Sequence, residues 1–307
     1  MLKTAFLFPG QGSQFAGMGR TLASAFPEAR GVFEEADRAL GFAISQLCFE
    51  GPEDQLKLTE NTQPALLTVS AAAFAVLRGK GWRPQYVAGH SLGEYSALVA
   101  AGSLRLSDAL RLVRQRGRYM QEAVAPGVGA MAALLKLPDG KLEAILAGAA
   151  QGEVVTAANW NSPDQVVIAG HAGAVARAAD LAKAAGARRA VILPVSAPFH
   201  CPLMQPAQQR LAADLDATEF SDLEVPLVNN WEAREVLTGA EARRGLFHQV
   251  PNAVRWLDTI RHLAGQGVSR FVEVGPGGVL TGLLRNIDPA LEGLRFGEAS
   301  DWEKLSG

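Results

Sequence analysis

Tyr86-Val87-Ala88-Gly89-His90-Ser91-Leu92-Gly93-Glu94-Tyr95-Ser96-Ala97 reads as a short apolar strand, a Gly-x-Ser-x-Gly turn and the start of a helix. That order is the setting of a nucleophile elbow, in which a sharp strand-to-helix turn lifts a serine hydroxyl clear of the backbone. The flanking glycines suit it, because such a turn needs positions without a Cβ. The serine then sits at the positive end of a helix, and free backbone N–H groups there can hold an oxyanion, with that of Leu92 as the natural candidate. Read this way, the segment predicts an α/β fold and makes Ser91 a nucleophile.

The rest of the chain fits that class. Short apolar runs at residues 4–8, 86–88, 191–195, 225–229 and 270–274 read as buried parallel strands, separated mostly by helical patterns. Helices are predicted at 64–78, with Pro64 in the first turn, at 107–124, with Ser107 as cap, and at 252–265. Between residues 127 and 195 the pattern becomes strand, helix, strand, strand, helix, strand, a βαββαβ unit set into the larger domain. The expected architecture is a discontinuous large domain, 1–126 and 196–307, with the insert at 127–195 and a ligand cleft between them.

Composition narrows the function. The chain has 307 residues, 48% hydrophobic and 20% charged, and a formal net charge of -2, so it lacks the basic excess that phosphate neutralisation requires of a nucleic-acid binder. Cys48 and Cys201 are its cysteines; they lie far apart and match no metal-ligand spacing, which points to a reducing, cytoplasmic setting and no bound metal. The apolar stretch from Ala5 to Phe8 stops at Pro9-Gly10, short of a signal-peptide core, and no run reaches membrane-spanning length.

A serine hydroxyl needs a base to take its proton, and the chain offers five histidines. His90 is held on the elbow with its side chain pointing elsewhere, His262 lies within an amphipathic helix, and His171 follows Gly170 in a turn. His200, in the loop Ser196-Ala197-Pro198-Phe199 after an expected strand, is ranked first and His248 second. No acid is marked by context as a third member. Asp164 is one of several between Ser91 and His200, and a dyad oriented by a backbone carbonyl needs none.

Two further features remain. In helix 107–124, Arg116 has Ala109, Leu112, Val113 and Met120 as helical neighbours, so it projects from the apolar stripe and needs an anion. That anion is either a structural Asp or Glu or a substrate carboxylate gripped in a bidentate pair. Pro9-Gly10-Gln11-Gly12-Ser13-Gln14 follows the first strand but has Phe15 where a dinucleotide loop needs its third glycine. A tight loop there can instead aim a backbone N–H, such as that of Gln11, at the oxyanion beside Leu92. Gly275-Pro276-Gly277-Gly278 lacks a phosphate-gripping ending and reads as turn chemistry.

Taken together, Phe8-Pro9-Gly10-Gln11-Gly12-Ser13-Gln14, Thr62-Gln63-Pro64-Ala65, Gly89-His90-Ser91-Leu92-Gly93-Glu94, Arg116-Gly117, Asn161-Ser162-Pro163, Ala197-Pro198-Phe199-His200 and Glu273-Val274-Gly275-Pro276 span nearly the whole chain. With them the sequence resembles the malonyl-CoA:acyl carrier protein transacylases of bacterial fatty acid synthesis and their relatives in polyketide synthases. The resemblance implies that Ser91 carries the acyl ester, His200 is base and acid, and Arg116 grips the malonyl carboxylate. It also implies an oxyanion hole from the N–H groups of Gln11 and Leu92, and the backbone carbonyl of Gln249 as the group orienting His200. The implied fold is a hydrolase-like large domain with a ferredoxin-like insert. The implied partners are malonyl-CoA as substrate and an acyl carrier protein bearing phosphopantetheine, with no bound cofactor, no nucleic acid, no membrane, and a monomeric chain. Phe199, just before the histidine, is placed as in relatives that take malonyl rather than branched units. Lys183, Arg188 and Arg189 are candidates for docking an acidic carrier. The rival readings are a polyketide-synthase acyltransferase or hydrolase, and an inactive carrier-binding scaffold.

Overall fold

The computed structural model describes residues 2–306. Its larger sheet has six strands in the order β10-β9-β1-β2-β7-β8. These are β1 (Lys3–Phe8), β2 (Tyr86–Gly89), β7 (Leu227–Val228), β8 (Glu235–Val236), β9 (Val268–Val274) and β10 (Glu292–Phe296). All neighbours are parallel except β7 and β8, which pair antiparallel. β1 is buried from Thr4 onward and β9 from Phe271 onward, as strands covered on both faces by helices must be, and Ala5–Phe8 reads as a continuous apolar run rather than an alternating one. On one face Phe6 and Phe8 pack against the fully buried helix residues around Leu66, Leu67 and Val69; on the other Leu7 and Phe271 meet Trp256, Ile260 and Leu263.

A second sheet of four strands is built from β3 (Gly129–Leu135), β4 (Val155–Ser162), β5 (Gln165–His171) and β6 (Arg189–Ile192), in the order β4-β5-β3-β6. Every pairing in it is antiparallel. With the helices Leu142–Ala150 and Ala172–Ala184 on one face, this is the βαββαβ arrangement of a ferredoxin-like unit. Its own core of Leu134, Ile145, Ile168 and Val175 is separate from the two cores of the larger sheet. β4 ties it to the larger body, since Val254 N–H donates to Ala158 O at 2.9 Å and Trp160 N–H to Val254 O at 2.9 Å.

Four expectations change. Residues 191–195 do not form a strand of the parallel sheet. The strand there is β6, the edge of the small sheet, with Val191 45% and Ile192 51% exposed, because an apolar run by itself does not say which sheet it joins. The helix predicted at 64–78 is Thr59–Gly79, with Pro64 inside it rather than at its start. The helix at 107–124 is Leu106–Glu122, so Ser107 lies inside its first turn and caps nothing. The last, predicted from 252, is Trp256–Gly265. Among the described residues no helix is long and apolar enough to cross a membrane.

Candidate active site

The register sets Phe8 beside Gly89 and Leu7 beside Glu273, so the loops leaving β1, β2 and β9 emerge side by side at the carboxyl edge of the sheet. The elbow is drawn tight there. A Cβ on Gly89 would lie 1.9 Å from Gly93 C, and one on Gly93 would lie 2.0 Å from Phe8 O, so both glycines answer to close backbone approach. The left-handed conformation falls on Ser91 itself, at φ 52°. A non-glycine residue holds that region only when its surroundings over-determine it. They do so here: Ser91 N–H donates to Asn230 Oδ1 at 2.7 Å, and Asn230 Nδ2 donates to Gly89 O at 2.7 Å.

His200, also at positive φ (57°), brings its Nε2 to 2.7 Å from Ser91 Oγ. Its Nδ1 lies 3.0 Å from the backbone carbonyl of Gln249, the last residue of helix Gly239–Gln249. A carbonyl oxygen only accepts, so the ring proton sits on Nδ1 and the Nε2 lone pair faces the serine. Burial, with Arg116 nearby, pushes the His200 pKa down to about 3, which keeps the ring neutral and able to accept. Asp164 is not involved; it sits exposed at the turn between β4 and β5, 3.6 Å from Lys136 Nζ. The other histidines are engaged elsewhere. His90 Nε2 is 2.9 Å from Asn161 Oδ1, His248 stacks on Trp231, His262 Nε2 is 3.1 Å from Glu235 Oε1, and His171 Nδ1 accepts from Val154 N–H at 2.9 Å.

Arg116 is 1% exposed, yet the structural carboxylate is not there: none lies within 4.0 Å of it among the described residues. Its Nη1 donates to Gln63 Oε1 at 2.7 Å, and its Nη2 to Gln249 Oε1 at 2.9 Å and to Ser91 Oγ at 3.1 Å. The guanidinium is thus held beside the nucleophile by uncharged oxygens. Gln249 Nε2 in turn donates to Ser91 O at 3.0 Å and to Glu94 Oε2 at 2.9 Å. Glu94 is buried and also accepts from Asn230 N–H at 2.9 Å; burial raises its pKa to about 7 against these bonds.

The cleft over Ser91 has a volume of about 120 Å³ and draws its lining from both sheets' surroundings, including Gln11, Leu92, Met131, Leu193, Phe199 and His200. The backbone N–H groups of Gln11 and Leu92 make no hydrogen bond among the described residues and lie at this cleft, as oxyanion donors require. Gly10 permits the approach, since a Cβ there would sit 2.4 Å from His90 O. Gly275 has φ 135°, and the buried carboxylate before it, Glu273, accepts from Leu280 and Thr281 N–H groups at 3.0 and 2.8 Å, so that loop serves a helix start and not a phosphate.

The sequence reading assigned no role to Asn230 or to the side chains of Gln63, Glu94 and Gln249. Gln63 and Glu94 stood in motifs that carry the resemblance; Asn230 and the Gln249 carboxamide had no local signal, being neighbours of Ser91 only through the fold.

A family model described as "Acyl transferase domain" matches residues 5–290. The malonyl CoA-acyl carrier protein transacylase of Escherichia coli strain K12 is 48% identical over 301 residues, covering 98% of this chain and 97% of its own. The crystal structure of an acyl carrier protein S-malonyltransferase from Vibrio cholerae superposes with a TM-score of 0.96 at 44% identity, over 99% of both chains. A malonyl-transacylase solved in complex with its type II polyketide synthase acyl carrier protein does so at 0.96 and 44% identity, over 98% of both. A family model over most of the chain and relatives of more than 40% identity along nearly its whole length show that the chain belongs to the acyl transferase domain family.

Proposed function

We propose that this protein is an [acyl-carrier-protein] S-malonyltransferase that moves malonyl from coenzyme A to the pantetheine thiol of an acyl carrier protein through an ester on Ser91. The observation that carries the proposal is the convergence on one oxygen: Ser91 Oγ lies 2.7 Å from His200 Nε2 and 3.1 Å from Arg116 Nη2. The first contact places the base where it takes the serine proton as attack proceeds. The second sets a cation where the far carboxylate of a malonyl ester would fold back.

In the first half-reaction Ser91 Oγ attacks the thioester carbon while its proton passes to His200 Nε2. The oxyanion is held by the N–H groups of Gln11 and Leu92, and collapse breaks the C–S bond as His200 returns the proton to the coenzyme A sulfur. In the second half the carrier's thiol gives its proton to His200 and attacks the ester carbon, and collapse breaks the bond to Ser91 Oγ as His200 returns the proton to that oxygen. Both halves use one base and one hole, so the two thiols occupy the cleft in turn. Gln249 O orients the ring throughout. The ester, clamped by Arg116 in a cleft lined by Phe199, Met131 and Leu193, presents little of itself to water.

The architecture proposed with this is an insert at 127–195 within a body formed by 1–126 and 196–307. Docking of the carrier is assigned to the exposed basic residues of the insert, Lys183, Arg188 and Arg189, of which Arg188 and Arg189 line a surface pocket separate from the Ser91 cleft. The setting is the cytoplasm, the chain acts as a monomer, and the pathway is fatty acid synthesis. A polyketide carrier is the second reading, favoured by the likeness to a transacylase solved with such a carrier.

Initial rates with malonyl-CoA and a holo carrier protein test the reaction. Parallel double-reciprocal lines are expected, with malonyl on the carrier and free coenzyme A as products; intersecting lines would remove the Ser91 ester as an intermediate, and coenzyme A released without carrier malonylation would remove the transferase reading. Fatty-acid and polyketide carriers run side by side distinguish the two pathways.

A further inference from the structure

A buried arginine ordinarily lies against a carboxylate, because an uncompensated guanidinium is costly and cannot shed its proton. Arg116 departs from that pattern. Its two nitrogens that reach protein side-chain carbonyls reach carboxamides, Gln63 at 2.7 Å and Gln249 at 2.9 Å. The buried acid of the neighbourhood, Glu94, is kept one carboxamide away: its Oε2 accepts from Gln249 Nε2 at 2.9 Å, and the other end of that same amide faces the guanidinium. Gln63 is oriented similarly, since its carbonyl faces Arg116 and its amide nitrogen faces Met120 Sδ at 3.9 Å.

A glutamate in place of Gln63 would have nearly the same shape, would reach the same Nη1, and would complete an ion pair. The chain carries the neutral isostere instead, and the result is a guanidinium held in place but not discharged. We infer that preference for an acyl group ending in a carboxylate is set by the carboxamide character of Arg116's partners, with Gln63 as the specificity-determining positioning residue. The inference rests on the malonyl reading above and adds to it the reason the positive charge stays available. An internal carboxylate at this position would compete with the substrate's for the same guanidinium and repel it, whereas an acetyl group, which has no charge to place, would be nearly indifferent.

Single-turnover acylation of Ser91 by malonyl-CoA and by acetyl-CoA, followed by intact mass, tests this in wild type, Gln63→Glu and Gln63→Met. In Gln63→Glu the malonyl-over-acetyl rate ratio is expected to fall roughly a hundredfold, as like-charge juxtaposition demands. Gln63→Met removes the acceptor and leaves the charge, so it should raise KM for malonyl-CoA and keep the malonyl-over-acetyl preference. A Gln63→Glu enzyme with the wild-type preference, or a Gln63→Met enzyme that loses it as fully as Gln63→Glu, overturns the inference. The double variant Glu94→Gln with Gln249→Glu exchanges the acid and the carboxamide and so sets a carboxyl directly against Arg116, where the cation favours its charged form; it should lose malonyl in the same way, and it keeps the experiment decisive if Gln63→Glu does not fold. A wild type without malonyl preference would instead remove the malonyl reading itself, so the two failures are told apart in one data set.

Discussion

Burial acts on two titrating groups of the site in opposite directions. His200, ordinarily near 6.5, is pushed down to about 3, chiefly by burial and then by Arg116, whereas Glu94, ordinarily near 4.5, is raised to about 7 by burial. For catalysis the first shift means that the base stays free well below neutrality. The rate of Ser91 acylation in Glu94→Gln, where His200 is the titrating group left in the network, is therefore expected to be nearly flat from pH 8 down to about pH 5, and an acid limb centred near 6.5 in that variant would contradict the burial argument. For stability the signs differ. Between about 3 and 6.5 the unfolded chain protonates residue 200 and the folded chain does not, so folding loses free energy as pH falls. Between about 4.5 and 7 the folded chain holds a proton on Glu94 that the unfolded chain has released, so folding loses free energy as pH rises. His200→Gln removes only the first effect, and its melting temperature, relative to wild type, should climb as pH is lowered from 7 to 4.5.

The elbow is the element that the sequence described best, and for a reason that extends beyond the motif. Gly-x-Ser-x-Gly between an apolar strand and a helical run is local, and the close approaches that demand its glycines are made by its own turn and by the adjoining strand β1. Gly93→Ala would put a Cβ 2.0 Å from Phe8 O, a backbone atom that cannot step aside, and should cost about 3 kcal/mol or more in urea unfolding. Gly31→Ala, on an exposed turn of helix Pro27–Leu40 with nothing within 4 Å, should instead gain about 0.5–1 kcal/mol. Similar costs at the two positions would refute the packing account of the elbow. Element boundaries elsewhere were less legible. Residues 191–192 are apolar enough for a central strand, and only pairing shows them at an exposed edge. Pro64 reads as a helix start, yet the helix begins at Thr59, where the backbone packs closely on Gly117 of the helix Leu106–Glu122.

At the scale of the whole molecule, the site is a place where distant parts of the chain meet. Ser91 comes from the β2 turn, Arg116 from a helix, His200 from the return after the small sheet, and Gln249 from the end of a helix near the larger sheet's edge. Ser91, His200 and Arg116 could each be picked out from sequence because each breaks a local rule: a serine on a strained turn, a histidine in a loop, an arginine in an apolar stripe. Gln63, Glu94, Asn230 and the Gln249 side chain break none, and their network of hydrogen bonds exists only once the chain has folded. That network holds a neutral base and an undischarged cation on one serine oxygen. Intact mass after incubation with malonyl-CoA or acetyl-CoA, without carrier, tests it most directly in wild type, Ser91→Ala and Arg116→Ala. A malonyl adduct is expected in wild type, none in Ser91→Ala, and a shift from malonyl toward acetyl in Arg116→Ala. A wild type that takes up no malonyl group, or takes acetyl equally well, would contradict it.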